Sequence, residues 1–197
     1  SDVYKRQLIM IEIKNIFKSF GKSGVLHDIS AKFERGKTNL IIGQSGSGKT
    51  VLLKCLLGLY SFDQGELIYD NVYSSKMNDE EKMNIKKEMG MVFQGSALFD
   101  SLSVLENVRF PLDMLTNYSE KKKDEIALKF IERVNLNDAI NKLPSEISGG
   151  MQKRVGIARA IVLNPKYLFC DEPNSGLDPK TAIVIDLSLI HTDAADE

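Results

Sequence analysis

The sequence predicts an α/β fold in which a mostly parallel sheet is wrapped by helices, and three observations carry that prediction. A short apolar strand, Asn39-Leu40-Ile41-Ile42, runs directly into a glycine-rich loop that opens a helix. A second apolar strand, Tyr167 to Cys170, ends in two adjacent acids, Asp171 and Glu172. Ahead of both, Met10 to Phe17 and Val25 to Phe33 alternate apolar and polar residues, the period of half-buried antiparallel strands. Strand, loop, helix and a later strand ending in acids is the order of a sheet with crossover helices.

Composition sets the outer limits. With 197 residues, 43% hydrophobic and 27% charged, the chain suffices for one α/β domain with a real core. A formal charge of −1 gives no electrostatic reason to expect nucleic acid or a membrane surface as partner. No uncharged apolar run approaches the roughly 18 residues of a spanning helix, and Val51 to Leu59 is interrupted by Lys54. The N-terminus shows no apolar leader, so a cytoplasmic location is expected. Cys55 and Cys170 stand far apart without metal-ligand spacing; they suit a reducing compartment and read as small core residues.

The remaining elements follow in order. Gly21 to Gly24 has turn chemistry between the first two strands. A helix is expected from Lys49 to about Gly58, a strand over Glu66 to Asn71, a polar helix over Asp79 to Glu88, and an apolar strand over Met89 to Phe93. Val104 to Leu136 has helical periodicity with charge on one side. Its Lys121-Lys122-Lys123 run is flanked by Glu120, Asp124 and Glu125, which reads as a solvated helix face rather than a basic binding patch. A helix should run from Gly150 to about Leu163, and another should start near Pro179.

The chemistry is concentrated in three motifs. Gly43-Gln44-Ser45-Gly46-Ser47-Gly48-Lys49-Thr50 fits the phosphate-loop pattern G-x-x-x-x-G-K-[ST], between the strand and helix that the pattern requires. Its glycines let successive N–H groups point inward at phosphate oxygens, and the helix N-terminus adds partial positive charge. Lys49 is assigned to β- and γ-phosphate oxygens, and the Thr50 hydroxyl to Mg²⁺. At the second motif, alternation along a strand makes the two carboxylates diverge. Asp171 is assigned to Mg²⁺ and Glu172 to positioning and polarising an attacking water. The plainer reading, a polar strand end with a helix cap, loses force with a phosphate loop upstream. The third motif, Ser148-Gly149-Gly150-Met151-Gln152, opens a helix through Arg154 and Arg159. A hydroxyl and two glycines at a helix start make a second anion-binding concavity, and one chain has no second triphosphate to place there unless a partner supplies it.

In this combination the chain resembles the ABC ATPases, over residues from about Met10 to Asp186. The motifs that carry the resemblance are the phosphate loop, Gln94 after an apolar strand, Ile147-Ser148-Gly149-Gly150-Met151-Gln152, the Asp-Glu strand, and Ser175-Gly176-Leu177-Asp178. The resemblance implies a phosphate-loop NTPase with a RecA-like core, an N-terminal antiparallel β subdomain and an inserted α-helical subdomain at about 95–148. It implies two subunits that sandwich two ATP molecules, each between one subunit's phosphate loop and the other's signature. Gln94 then reaches Mg²⁺ and couples hydrolysis to a membrane permease. Ser148, Gly150 and Gln152 address the opposite subunit's γ-phosphate, and Asp178 joins the two active sites. Phe20 falls where the family places an aromatic ring on adenine, although a strand-end aromatic is as often simply core.

The branch of the family is narrowed by spacing. Ser148 follows Gln94 by only 54 positions, which leaves no room for the long coiled coil of the DNA-repair relatives. Translation factors of the family carry two motif sets in tandem, and this chain has one. A transporter ATPase on the inner face of the cell membrane is the expectation. Phe93 to Asp100, Asn107 to Leu112, Val51 after the phosphate-loop threonine, and Leu143-Pro144-Ser145-Glu146 resemble the Mla-type ATPases. Those work with MCE-domain proteins in moving phospholipid across the bacterial envelope. The alternative is the ATPase of an amino-acid-type importer or of a lipoprotein-release system.

Both ends read as foreign to the domain. Val3 to Gln7 can be encoded by GTG TAT AAG AGA CAG, whose reverse complement encodes Leu187 to His191. Those codons resemble a transposon end used to tag DNA for sequencing. The expectation is a single incomplete domain over Met10 to Asp186, with residues 1–7 and 187–197 as non-native flanks and the C-terminal part missing, so that the family's ATP hydrolysis is expected of the completed domain and not of this truncated chain itself. His191 is accordingly rejected as the family's switch histidine, because 13 residues after Asp178 leave no room for a helix, turn and strand.

Overall fold

A computed structural model of the chain describes residues 9–172. Contacts divide it into two compact units that meet in sequence between Lys86 and Lys87.

The first unit is built on long antiparallel strands. β1 (Ile9–Phe20) pairs with β2 (Ser23–Glu34) on one side and with β3 (Gln64–Tyr69) on the other, and β4 (Val72–Tyr73) adds a short edge beside β3. Alternation sends Ile11 and Ile13 inward, but the next buried residue is Ile16. The phase changes at a bulge: Asn15 takes φ 50°, faces Asp28 at φ 54°, and donates to its carboxylate at 2.7 Å. Gly65 crosses this bulge closely; a Cβ there would lie 2.4 Å from the Asn15 carbonyl oxygen, so only glycine fits. Helix α1 (Lys49–Leu56) buries Leu52, Leu53, Cys55 and Leu56. Its end is tied to β3 by the Tyr69 hydroxyl, which donates to the Leu56 carbonyl.

One expected element does not form. Asn39 to Ile42 is not a strand, and Leu40 and Ile42 are 78% and 85% exposed. A buried parallel strand exists only where neighbours bond to its edges, and among the described residues none pairs with this segment. What forms instead is a turn after β2. The Asn39 side chain accepts the Glu34 N–H at 3.1 Å and donates to the Glu34 and Lys37 carbonyls, both at 3.0 Å.

The second unit is α/β. Helix α2 (Asp79–Lys87) leads across the unit boundary into β5 (Met89–Val92), which pairs in parallel with β6 (Tyr167–Cys170), Val92 opposite Cys170. Between them come α3 (Val104–Leu115), α4 (Glu120–Arg133) and α5 (Gly149–Ile161). The long helical stretch predicted over 104–136 is thus two helices. Ser103 and Glu106 form a reciprocal cap on α3, and Ser119 caps α4. Val104, Val108, Leu112, Ala127, Ile131 and Val155 share one core, while the opposite side of α5 packs Ile157 and Ile161 against Val92 of the sheet. Arg109 ties the two helices together through Glu120 and Asp124 and also pairs with Asp113 on its own helix. The lysine run is mixed: Lys121 and Lys122 are exposed, but Lys123 is nearly buried and paired with Asp113 and Glu120.

A fully buried amide fastens the loop that enters α3. The Asn107 side chain accepts the Phe99 N–H at 2.9 Å and donates to the carbonyls of Phe99, Leu102 and Ser103. Replacing it by alanine leaves buried backbone groups without a partner, each costing about 1–3 kcal/mol. Asn107→Ala should lower unfolding stability in urea by about 3 kcal/mol, whereas Asn137→Ala, on an exposed turn, should change it little.

Candidate functional site

In the first unit the phosphate-loop residues curl around a lysine. The Ser47 N–H donates to the Gln44 carbonyl at 3.2 Å, turning the loop, and Lys49 Nζ donates to the carbonyls of Gly43 and Gln44 at 2.9 and 3.0 Å. Gly48 is the N-cap residue of α1 at φ 93°, a conformation that L side chains rarely adopt, and a Cβ there would press on Val25 and Leu26. No side chain caps this helix start. Its first-turn N–H groups, with the partial positive charge of the helix, are therefore presented by a loop whose Gly43 to Ser47 are exposed. Uncapped donors plus one ammonium fit a polyphosphate.

At the end of β1, Phe20 is 45% exposed. Its ring meets Tyr60 edge-on, with centroids 5.4 Å apart and planes at 73°. Lys18 Nζ stands 5.2 Å from the Phe20 centroid. Phe20 is thus a surface ring with an aromatic neighbour rather than a core residue.

In the second unit the two acids after β6 differ in exposure. Asp171 is buried, and its N–H extends the parallel ladder to the Val92 carbonyl at 2.9 Å. Glu172 is exposed and takes the left-handed conformation at φ 48°. Gln94, which follows β5, donates from Nε2 to Glu172 Oε2 at 3.0 Å. Two residues 78 apart in sequence are thereby brought into contact. Thr50 belongs to the first unit, and Gln94 and Asp171 to the second. Their hydroxyl, amide and carboxylate oxygens are hard donors of the kind Mg²⁺ takes beside phosphate and water.

The third motif caps a helix. Ser148 is the N-cap of α5 and its hydroxyl accepts the Met151 N–H at 3.3 Å. Gln152 turns its side-chain amide back to the Pro144 carbonyl at 2.9 Å, bracing the turn that precedes the motif. Ser148 and Gly149 are exposed and Gly150 is half-buried. Asp178, Ser175 to Leu177, His191 and the helix expected near Pro179 lie outside the described residues.

Arg159 is a further site residue that the sequence reading leaves without a role. Its guanidinium donates to the Ser96 carbonyl at 2.8 Å and lies 5.8 Å from the Phe99 ring centroid, while burial holds its pKa below the ordinary arginine value. Ser96 and Ala97 both have positive φ, so the arginine grips a strained segment two residues after Gln94. Beside it is a mostly apolar cleft of about 320 Å³, lined by Met91, Phe93, Phe99, Phe110, Leu115 and Arg159 among others. The signal for Arg159 would be a cation three residues after the buried Gly156 and between the buried Ala158 and Ile161, a placement that charge alone disfavours.

A family model described as ABC transporter matches residues 26–175. The chain is 40% identical over 181 residues to the methionine import ATP-binding protein MetN of Clostridioides difficile, covering 92% of this chain and 56% of the relative. It is 40% identical over 186 residues to the chloroplastic protein TRIGALACTOSYLDIACYLGLYCEROL 3 of Arabidopsis thaliana, covering 90% and 53%. The chain therefore spans about half the length of these curated relatives. The dimeric structure of a bacterial ABC transporter cassette superposes with a TM-score of 0.86 at 32% identity, over 95% of this chain and 84% of that one. The fold is that of this cassette, with its antiparallel β portion and helical elements.

Lys49 is the cation of the loop. Lys49→Ala should reduce ATP affinity at least about tenfold in a fluorescence titration, since a charge-assisted contact to phosphate is lost. Unchanged affinity would remove the phosphate-loop assignment.

Proposed function

We propose that this chain, which belongs to the ABC transporter family, is part of a subunit that binds and hydrolyses ATP to drive a membrane permease. The observation that carries this reading is the contact of Gln94 with Glu172 at the shared end of β5 and β6. It joins the loop that faces a permease in this family to the carboxylate assigned to hydrolysis.

The chain's own groups divide the work. The uncapped start of α1 and Lys49 receive the triphosphate, and the exposed Phe20 ring stacks on adenine. Mg²⁺ would be held by Thr50, Gln94 and Asp171 and would neutralise charge developing on the β- and γ-oxygens. Glu172 accepts a hydrogen bond from water and polarises it. The water oxygen bonds to the γ-phosphorus, the bond from that phosphorus to the bridging oxygen breaks, and one water proton leaves by way of the Glu172 carboxylate to solvent, so that ADP, phosphate and a proton result. Gln94 orients the carboxylate by donating to it, so a shift of its loop alters the alignment of Glu172. Ser148, Gly150 and Gln152 at the α5 start present donors to the γ-phosphate held by a second copy of the subunit. Asp178, beyond the described residues, links the two sites. Hydrolysis separates the pair, which is the mechanical stroke.

The cleft lined by Phe99 and Phe110 suits a cytoplasmic helix of the permease: it is apolar, and it adjoins the loop gripped by Arg159. No described helix is long and apolar enough to cross a membrane. A cytoplasmic subunit docked on the inner face of the membrane is the reading that pairing with a permease supports. For the cargo, lipid is the first reading. Phe93 to Leu112 resembles the Mla-type ATPases, which implies an MCE-domain partner, and one relative is named for a diacylglycerol lipid. A second reading, import of an amino acid, is favoured by the methionine-import relative. Nucleic acid is not a partner in either.

Glu172→Gln keeps the shape and removes the charge that polarises water. ATP should still bind while turnover falls by about a hundredfold or more, and the variant should accumulate as an ATP-bound dimer on gel filtration. Near-parental turnover would move the base elsewhere. Phe99→Glu should leave ATP binding intact and abolish copurification with the permease. Recovery of an amino-acid importer's permease, with no MCE-domain protein, would replace the lipid reading by the second one.

A further inference from the structure

The first unit holds a brace that the hydrolytic scheme does not use. Immediately after α1 the chain turns, and the N–H groups of Leu59 and Tyr60 both donate to the Lys54 carbonyl, at 2.8 and 3.1 Å. Lys54 Nζ then lies 5.3 Å from the centroid of the Tyr60 ring. Tyr60 is consequently fixed to the same helix whose first turn follows the phosphate loop. Three residues further on, Asp63 clasps the end of β1. Its N–H donates to the Phe17 carbonyl at 2.8 Å, and its carboxylate accepts the Ser19 N–H at 2.7 Å and Lys18 Nζ at 3.2 Å. Two tethers thus run from the α1 turn to the strand that ends in Phe20. One is polar, through Asp63, and one is aromatic, through Tyr60.

Phe20 needs such support. It is the last residue of β1, paired with Ser23 beside the turn, and it is 45% exposed. A ring in that position has two side-chain torsions to lose on stacking with a base, and freedom lost on binding weakens binding. An edge-to-face neighbour at 5.4 Å removes part of that freedom beforehand, and Lys18 Nζ, 5.2 Å from the Phe20 centroid, adds a second restraint on the ring.

We propose that Tyr60 is a positioning residue for nucleobase recognition, holding the Phe20 ring in its stacking orientation from a turn anchored to α1. The proposal rests on Phe20 being the adenine-stacking ring. It makes base and triphosphate recognition mechanically continuous: the segment that ends the phosphate-loop helix also sets the plane of the base platform.

The test compares ATP with inorganic tripolyphosphate, which carries the phosphates and no base, by equilibrium titration of the full chain. Tyr60→Leu should weaken ATP about three- to tenfold, in keeping with the strength of an aromatic pair. It should leave tripolyphosphate affinity unchanged, which also shows that the variant is folded. Tyr60→Phe retains the ring edge and should restore parental ATP affinity. Phe20→Ala serves as the reference. If it fails to weaken ATP relative to tripolyphosphate, the stacking role of Phe20 itself is wrong. If Phe20→Ala weakens ATP and Tyr60→Leu does not, the brace alone is wrong. Equal loss of both ligands in Tyr60→Leu also overturns the proposal, since Tyr60 would then act on the phosphate loop or the fold.

Discussion

Parallel pairing is the constraint on which the chemistry of the second unit depends. In an antiparallel hairpin the residues that follow two strands emerge at opposite ends; in a parallel pair they emerge together. Because Val92 lies opposite Cys170, the chain leaves β5 toward Gln94 and leaves β6 toward Asp171 and Glu172 at one edge. The contact between Gln94 and Glu172 follows from that register. A one-residue slip would move every side chain of β6 to the other face and exchange the places of Asp171 and Glu172. A parallel pair also demands a crossover, and everything from Phe93 to Lys166 is that crossover. Its helices carry the rest of the site because the topology obliges them to be there.

The same crossover explains why buried polar groups recur. α5 packs the α3 and α4 core on one side and the sheet on the other, so none of its residues from Gly150 to Ile161 is exposed. Irregular backbone on such a helix has carbonyls that water does not reach, and burying them without partners is costly. Arg159 meets Ser96, Arg154 meets the carbonyls of Val134 and Asn135, and Asn107 meets those of Phe99, Leu102 and Ser103. These side chains hold loops in place of secondary structure. The loop after Gln94 is gripped on both flanks, which makes it a stiff lever rather than a slack connection. Stiffness is what a coupling role for Gln94 requires, since a slack loop would absorb a permease's movement before it reached Glu172.

Legibility followed the range of the interaction. Elements set by local pattern are readable: alternation marks β1 and β2, and the apolar run Tyr167 to Cys170 marks β6 over the observed bounds. The phosphate loop and the Ser148 cap are readable because turn and cap chemistry is local as well. What depends on distant partners is not. Asn39 to Ile42 has a strand's composition, yet a strand needs edges supplied by others. The bulge at Asn15 is invisible because it arises from Asp28 across the ladder and from the close crossing of Gly65. Asn107 and Arg159 read as ordinary polar residues on amphipathic helices until the loops they satisfy fold over them. The meeting of Gln94 and Glu172 is of this second kind: each motif is visible alone, and only the register joins them.

Under the proposed function, the helix start of the third motif would serve two structures at once. Ser148 Oγ accepts the Met151 N–H, using a lone pair, while its own O–H is a separate donor able to turn toward a phosphate oxygen. Capping the helix and addressing a partner's nucleotide are therefore compatible, and neither has to be surrendered for the other. Gln152 differs in degree: its amide nitrogen already donates to the Pro144 carbonyl, but it carries a second N–H. Alanine in place of Ser148 would remove the cap and, under the proposed function, the contact across a dimer together, so loss of activity there does not by itself separate the two. Asparagine is more informative. It caps helices as well as serine does, but it sets a longer amide where the second chain's phosphate must fit. Retained stability with lost dimerisation at that position is the signature of a residue whose second duty lies outside its own chain.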